Sequence, residues 1–551
     1  MTLHPQAIGP VPDETARVAR AVFPRGNPYL QLRDVLGSVY ADEDFADLFP
    51  RRGQSAEAPW RLALVTVLQF AEGLSDRQAA EAVRSRIDWK YLLALELTDT
   101  GFHYSVLSEF RTRLIAGSAA HRLLDGLLGE CQVRGWLKRG GRQRTDATRV
   151  LGALRQLNRL ECVAETLRQA LNALATAAPE WLRAQVTPEW FDRYGRRVED
   201  ARLPTSPDAR QRYAEVIGAD GRHLLTALTA AGAPADVREL PAVELLRRVW
   251  VHQYEWVDDH LRWRDPKNSP PPAQRLDTPY EPEARYGTKR STSWVGYKVH
   301  LTETCDEDED RPHLVTHVET TPATTSDGSR VTPIHAALAR RDLLPRQHLV
   351  DAAYVSGDVL VTSRTAYGVD LLGPMQADGK WQAQAGQGYD VSHFAVDWAA
   401  QTVTCPQGRT SRRWVPTRTR RQQETITVGF AGADCTPCPA RAQCTRSKTT
   451  PRSLTLRREA LHQAIQAARQ RQTTPAFKAQ YAARAGIEGT LSQGVRAFEL
   501  RQARYRGLAK THVQHVATAV AMNIARIVAW LQEVPRARTR QSRFAALATA
   551  G

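Results

Sequence analysis

Cysteine is scarce in this chain, seven among 551 residues, too few for a disulfide scaffold. Long apolar runs are missing too. The most apolar stretch, "VATAVAMNIARIVAWL" (516–531), is interrupted by Asn523 and Arg526 and is too short to span a bilayer. It is expected as a core helix, and no membrane partner is expected. No charged n-region leads into an apolar h-region at the start, so no signal peptide is expected, and with so few cysteines the compartment reads as reducing and cytoplasmic. No G-x-x-x-x-G-K-[ST] loop occurs; Gly379 and Lys380 are followed by Trp381, which argues against a nucleotide cofactor. Negative charge is in short supply as well. Against 75 Lys and Arg stand 59 Asp and Glu, a net charge of +16, with a pI near 9.8. Such a balance favours a polyanionic partner, nucleic acid first, over a neutral small molecule.

The sequence from Pro59 to about Leu114 has apolar residues three and four apart and no internal proline, so it reads as helices. Within it "GLSDRQAAEAV" places Gly73 and Leu74 at the end of one helix and Ser75 as the cap of the next, a helix-turn-helix-like joint. Arg77, Arg84, Arg86, Lys90, Arg111 and Arg113 supply phosphate-seeking groups; the alternative is a plain solvated bundle. "RTDATRV" (144–150) is a short β-compatible run with one carboxylate, Asp146. A helical stretch follows over about 151–263, then the Pro-rich "DPKNSPPPAQRLDTPYEP". "WVGYKVHLTET" and "HLVTHVETTPA" form a strand pair around an acidic turn, and helix, "QHLVDAAYVSG", helix and "VDLLGPM" complete a mixed α/β sheet. From about 376 to 455 the texture turns to short β-like pieces rich in arginine. Cys405 to Arg452 holds ten Lys or Arg and two acids, a net +8 and so half the charge excess of the chain. Helices resume over 456–532, and a basic tail (533–551) carries Arg536, Arg538, Arg540 and Arg543.

"YAARAGIEGT" (481–490) puts an aromatic, a cation and a carboxylate at i, i+3 and i+7, one face of a helix: Tyr481, Arg484 and Glu488. Asp146 lies in the first strand, Asp351 at the end of the fourth and Glu488 after the basic insertion. Three carboxylates gathered by a sheet and a flanking helix form an oxygen-rich site suited to Mg²⁺ or Mn²⁺. Paired metals about 4 Å apart serve phosphodiester chemistry without a protein nucleophile.

"RTDATRV", "HLVDAAYVSG" and the tyrosine–arginine–glutamate spacing of "YAARAGIEG" resemble the three catalytic motifs of DDE transposases of bacterial insertion sequences. The resemblance extends over most of the chain and implies an RNase H-like core. That core would be split into 121–375 and 456–532, interrupted by the helical insertion and by the β-rich segment 376–455, and preceded by a helical DNA-binding module at 1–120. It implies that Asp146, Asp351 and Glu488 bind two Mg²⁺ or Mn²⁺ ions, and that Tyr481 and Arg484 contact DNA near the cleaved end. The implied activity is cleavage of element ends and strand transfer into target DNA. Its partners would be double-stranded terminal repeats and target DNA, with two ends paired by a homodimer. One departure is visible: where the family often has Lys seven positions after the glutamate, Val495 stands, with Arg496 next. Glu499 is a rival third ligand, disfavoured because Gly489 and Gly494 make one continuous helix from 488 to 499 hard to sustain.

Arg412, Arg413, Arg420 and Arg421 in the basic insertion, with Arg77 and Arg496, are the candidate DNA contacts. The spacing C-x29-C-x2-C-x5-C of Cys405, Cys435, Cys438 and Cys444 fits either a structural Zn²⁺ or four reduced packing cysteines. None of the fifteen histidines is followed by Arg three residues on, which removes the signature of a tyrosine recombinase. The histidines, His512 and His515 included, read as surface or satisfied core residues. Two other functions use the same features: a metal-dependent nuclease that cannot join strands, and a non-catalytic DNA-binding repressor.

Overall fold

The computed structural model describes residues 2–535 except 155–156, 199–202, 290, 308–309, 385, 387 and 421. Arg421 and the tail arginines therefore lie outside the described residues. A six-stranded mixed sheet organises the molecule. Its strands are Arg142–Leu151, Arg285–Lys289, Thr292–Thr304, Val315–Pro322, Gln347–Val350 and Asp370–Leu372. The long strand Thr292–Thr304, rich in Val, Thr and aromatic residues that suit a pleated surface, pairs antiparallel with Arg142–Leu151 along one edge. Its other edge is shared, Arg285–Lys289 taking the leading end and Val315–Pro322 the rest. Beyond the Arg142–Leu151 strand the order continues, now parallel, with Gln347–Val350 and Asp370–Leu372. The expected strand pair around the acidic turn is present.

The largest core is shared between this sheet, the N-terminal helices and the helix Leu508–Leu531. That last helix is buried on nearly every side, as a helix apolar all round must be. Its two polar interruptions have partners. Asn523 donates to the Val315 carbonyl (2.8 Å) and accepts from the Val315 N–H (2.7 Å), satisfying the start of the Val315–Pro322 strand. Arg526 reaches the buried Glu303 at 2.7 Å. Among the described residues no helix is long and apolar enough to cross a membrane.

The helix-turn-helix-like joint forms as its residues suggest. Pro59–Ala71 ends before Gly73, whose φ is +70°. Ser75 then caps Asp76–Ser85 through a reciprocal box with Gln78. Pro59–Ala71 itself is almost wholly buried. Helices fill most of 159–253 and enclose a separate core around Leu160, Trp190, Leu224 and Trp250. The end of the expected helical stretch is instead a hairpin, Tyr254–Val257 with His260–Trp263. The basic insertion is a three-stranded sheet, Arg413–Arg418, Glu424–Gly429 and Ser453–Leu456, beside a two-stranded one, over a small core of Phe394, Val403, Val428, Phe430, Leu454 and Leu456.

Candidate active site

Parallel pairing sets Thr145 opposite Val350, so Asp146 and Asp351 come side by side where the Gln347–Val350 strand ends. Asp146 is still inside the strand and buried. Asp351 has just left it and caps the following turn by accepting the Ala353 N–H at 2.9 Å. Glu488 arrives from the other side, in the first turn of the helix Gly486–Ala497. One guanidinium links all three. Arg484 Nη2 lies 2.6 Å from Asp146 Oδ2 and 4.0 Å from Asp351 Oδ2, and its Nη1 lies 3.3 Å from Glu488 Oε1. The site is graded in exposure: the side chain of Asp146 is 10% exposed, that of Asp351 27% and that of Glu488 69%. Burial pushes the Asp146 carboxyl above its ordinary range; Arg484 opposes the shift and the like charge of Asp351 adds to it. Tyr481 stacks on Phe477, ring centroids 5.4 Å apart and 16° from parallel. Burial raises its phenol, Arg484 opposes that, and the three carboxylates add to it.

Tyr481, Arg484 and Glu488 do not share one continuous helix. Pro475–Ala482 gives way to a one-turn 3-10 segment, Ala483–Ala485, before the next helix begins at Gly486. The reason is packing against the first strand. Arg142, Arg144 and Asp146 alternate along that strand and meet the segment in turn. Arg142 donates to the Gln480 carbonyl (3.1 Å) and Arg144 to the Ala483 carbonyl, while Asp146 takes Arg484. A Cβ at Gly486 would fall 2.1 Å from Arg144 Nη1, so only glycine fits where the helix starts.

Arg144 is fixed from behind by a carboxylate that the motif reading did not pick out. Glu303, fully buried on the long strand, accepts from Arg144 Nε (2.7 Å), Arg526 Nη1 (2.7 Å) and Thr490 Oγ1 (2.5 Å). Burial would raise its carboxyl, but Arg526 and Arg144 outweigh burial and hold it below the ordinary range. Thr490 belongs to the helix that carries Glu488, so the network ties that helix to the sheet. The rival Glu499 stands apart, beyond the end of the Gly486–Ala497 helix with φ at +50° and its carboxylate on Arg504 (3.1 Å).

Two family models match the chain: a Transposase DDE domain over residues 404–528 and a Transposase domain (DUF772) over residues 17–113. Both matches are to transposase domains, and together they support a DDE transposase of an insertion sequence. No curated protein matches it. The first match covers Tyr481, Arg484, Glu488 and the four clustered cysteines; Asp146 and Asp351 lie outside both.

Two of the cations expected at a DNA surface, Lys90 and Arg111, are spent internally. Lys90 is buried and donates to the carbonyls of Glu96 (3.3 Å) and Asp99 (2.7 Å). Arg111 is buried on Asp76 (2.5 Å) and Gln69 (3.2 Å). Helix faces packed on a shared core leave such cations no route to solvent, so they take carbonyls and carboxylates instead. Arg77 remains exposed, its guanidinium 4.2 Å from the centre of the Tyr104 ring. Arg412, Arg413 and Arg420 are exposed on the insertion. Val495 packs against the main core, and Arg496 beside it faces solvent. Cys405, Cys435, Cys438 and Cys444 are free, half-buried, and line a single cavity of about 30 Å³ with Phe394, Phe430 and Arg452. Cys131, Cys162 and Cys305 are buried elsewhere. Among the described residues no three His, Cys, Asp or Glu side chains are spaced to hold a metal ion directly. His515 is a fully buried core residue whose Nδ1 lies 2.7 Å from the Thr320 hydroxyl, while its Nε2 has no hydrogen-bond partner among the described residues.

Proposed function

We propose that this transposase cuts phosphodiester bonds at the ends of its element and joins the freed 3′-hydroxyls to target DNA by in-line phosphoryl transfer. Asp146, Asp351 and Glu488 would hold two Mg²⁺ or Mn²⁺ ions. The observation that carries the reading is the convergence of these three carboxylates, from two adjacent strands and a distant helix, on one cation. Their chemistry fits the ions, since hard carboxylate oxygens are what Mg²⁺ and Mn²⁺ take. When bound, paired ions activate the attacking oxygen and stabilise the leaving one.

The remaining roles fall to the protein. Asp146 and Asp351 are held by the sheet, while the exposed Glu488 is free to adjust. Tyr481 and Arg484 would meet the DNA backbone beside the cleaved bond, with Arg496 farther along the chain, on the helix that carries Glu488. Arg77, Arg412, Arg413 and Arg420 contact backbone phosphates, which position the duplex without reading its sequence. We read the sheet order, a long antiparallel strand joined to parallel strands through the Asp146 strand, as an RNase H-like core. Pairing two element ends calls for two copies of the chain on DNA. The four clustered cysteines act either as thiolate ligands of a structural Zn²⁺ or as reduced packing residues, and metal analysis of the purified protein decides between these.

The test is Mg²⁺-dependent cleavage and joining of a labelled duplex carrying the flanking inverted repeat, at equal DNA binding. Wild type should nick and join, while Asp351→Ala and Glu488→Ala bind and do neither. Cleavage without joining would make the protein a nuclease, and binding without cleavage by wild type a repressor.

A further inference from the structure

Arg484 occupies a peculiar place for a DNA contact. It is largely buried, and its two terminal nitrogens are both spent on the three carboxylates. Each carboxylate oxygen it engages is one that a metal would need. A guanidinium keeps its acceptors nearly 3 Å from nitrogen, whereas Mg²⁺ draws oxygens to about 2.1 Å, so the two cations cannot use the same lone pairs together. The spacing of the triad is accordingly that of a guanidinium bridge, and among the described residues no three ligands stand at metal-holding distances.

We propose that Arg484 is a resident counter-ion of the carboxylate triad, and that it must leave the triad for a divalent metal to load. The proposal rests on reading the triad as the metal site. Arginine cannot vacate by losing its proton, because its charge is permanent. It needs another anion, and a backbone phosphate of bound DNA is the one the proposed reaction brings. The geometry allows such an exchange. The Arg484 backbone sits in the short 3-10 segment that Arg144 clamps through the Ala483 carbonyl, so the side chain can swing while the segment stays docked. Among the described residues Arg484 Nε has no hydrogen-bond partner, so movement breaks only contacts of the terminal nitrogens. Until DNA arrives the guanidinium keeps three carboxylates from repelling one another. Once it moves onto phosphate, the same carboxylates are open to metal, and loading becomes linked to the presence of substrate.

The experiment measures Mn²⁺ binding to the full chain by electron paramagnetic resonance, with and without a duplex, for wild type, Arg484→Gln, Arg484→Lys and Asp146→Asn. Circular dichroism first establishes that each variant is folded. Without DNA, Arg484→Gln should bind Mn²⁺ about tenfold tighter or more, the scale set by losing one charge-assisted contact. Arg484→Lys, which keeps the charge but cannot bridge three acids, should gain less. The duplex should tighten Mn²⁺ binding in wild type and narrow its gap to Arg484→Gln. If Arg484→Gln binds Mn²⁺ no tighter than wild type while Asp146→Asn abolishes binding, the counter-ion role is refuted and the metal site stands. If none of the four proteins binds Mn²⁺, the metal-site reading fails and takes this proposal with it.

Discussion

Replacing Glu303 by glutamine keeps the side-chain volume and removes the charge that two guanidiniums share. Arg144 and Arg526 each lie 2.7 Å from this carboxylate, which has no solvent exposure. Breaking a buried ion pair by removing one partner costs about 3–5 kcal/mol, because the cation left behind stays buried. Here two cations are left. Both stay partly solvated at their outer ends, with side chains 10% and 16% exposed, which argues for the lower end of that range. The penalty falls on whatever the network ties together: the first strand, the Ala483–Ala485 turn and the helix that carries Glu488. At about 3 kcal/mol the locally open fraction of that helix should rise by roughly two orders of magnitude. Native-state hydrogen exchange reads this directly, as faster exchange of amides in 486–497 against little change in the separate helical core around Leu224 and Trp250. The effect also has a pH signature. Because the folded Glu303 is held below its ordinary value of 4.5, its stabilisation is present above that value and is lost as pH falls through the folded value. Wild type and Glu303→Gln should therefore converge in acid. Exchange in 486–497 that changes less than threefold at neutral pH would show that the buried network does not hold the helix.

Two glycines of one helix should respond with opposite sign. Gly486→Ala drives a Cβ into the Arg144 guanidinium, which Glu303 prevents from yielding, and should cost about 1–3 kcal/mol. Gly489→Ala meets nothing within 4 Å among the described residues and should stabilise by about 0.5–1 kcal/mol; urea unfolding followed through this helix separates the two, and equal effects would refute the packing argument. Acid should also weaken the fold through its buried histidines. Burial lowers His300 and His335 to about 4 and His515 to about 3, with His317 and His348 lowered as well, against an ordinary value of 6.5. The unfolded chain then binds more protons below pH 6.5. Stability is complete above that pH and falls by about 1.4 kcal/mol per histidine for each unit below it, down to the folded values. Thermal midpoints should hold between pH 8 and 7 and drop steeply from 6.5 to 4.5; a midpoint flat to pH 5 would mean that these imidazoles are not buried.

The strand that carries Asp146 and the Val315–Pro322 strand were legible because β-branched residues crowd "RTDATRV" and "HLVTHVETT", and the Leu508–Leu531 helix because its apolar residues leave no polar face. Two elements were not. The hairpin at 254–263 continues an apolar helical pattern, and its turn is Asp258–Asp259, both at positive φ of 50° and 57°. Such a turn is usually announced by glycine or asparagine, and a pair of aspartates carries little of that signal. The strand Arg285–Lys289 has neither alternation nor β-branched density, and exists because the leading end of the long strand offers it a free edge.

The carboxylates of the site were found by motif, but the machinery that positions them was written in a plainer code. Arg142, Arg144 and Asp146 recur every second residue on a strand bound for the interior, which is a demand for partners, since a buried charge is tolerated only when paired. One answer is local to the sheet: the antiparallel register sets Arg144 directly across from Glu303, a cross-strand ion pair. The other answers are the Gln480 and Ala483 carbonyls and Arg484, far along the chain, and no periodicity could name them. The demand can be read from a sequence, while the identity of the partner waits on the fold. Here the partner that meets Asp146 is a cation on the one segment that also leads into Glu488, so pairing the last of these three charges and assembling the three carboxylates are the same structural event.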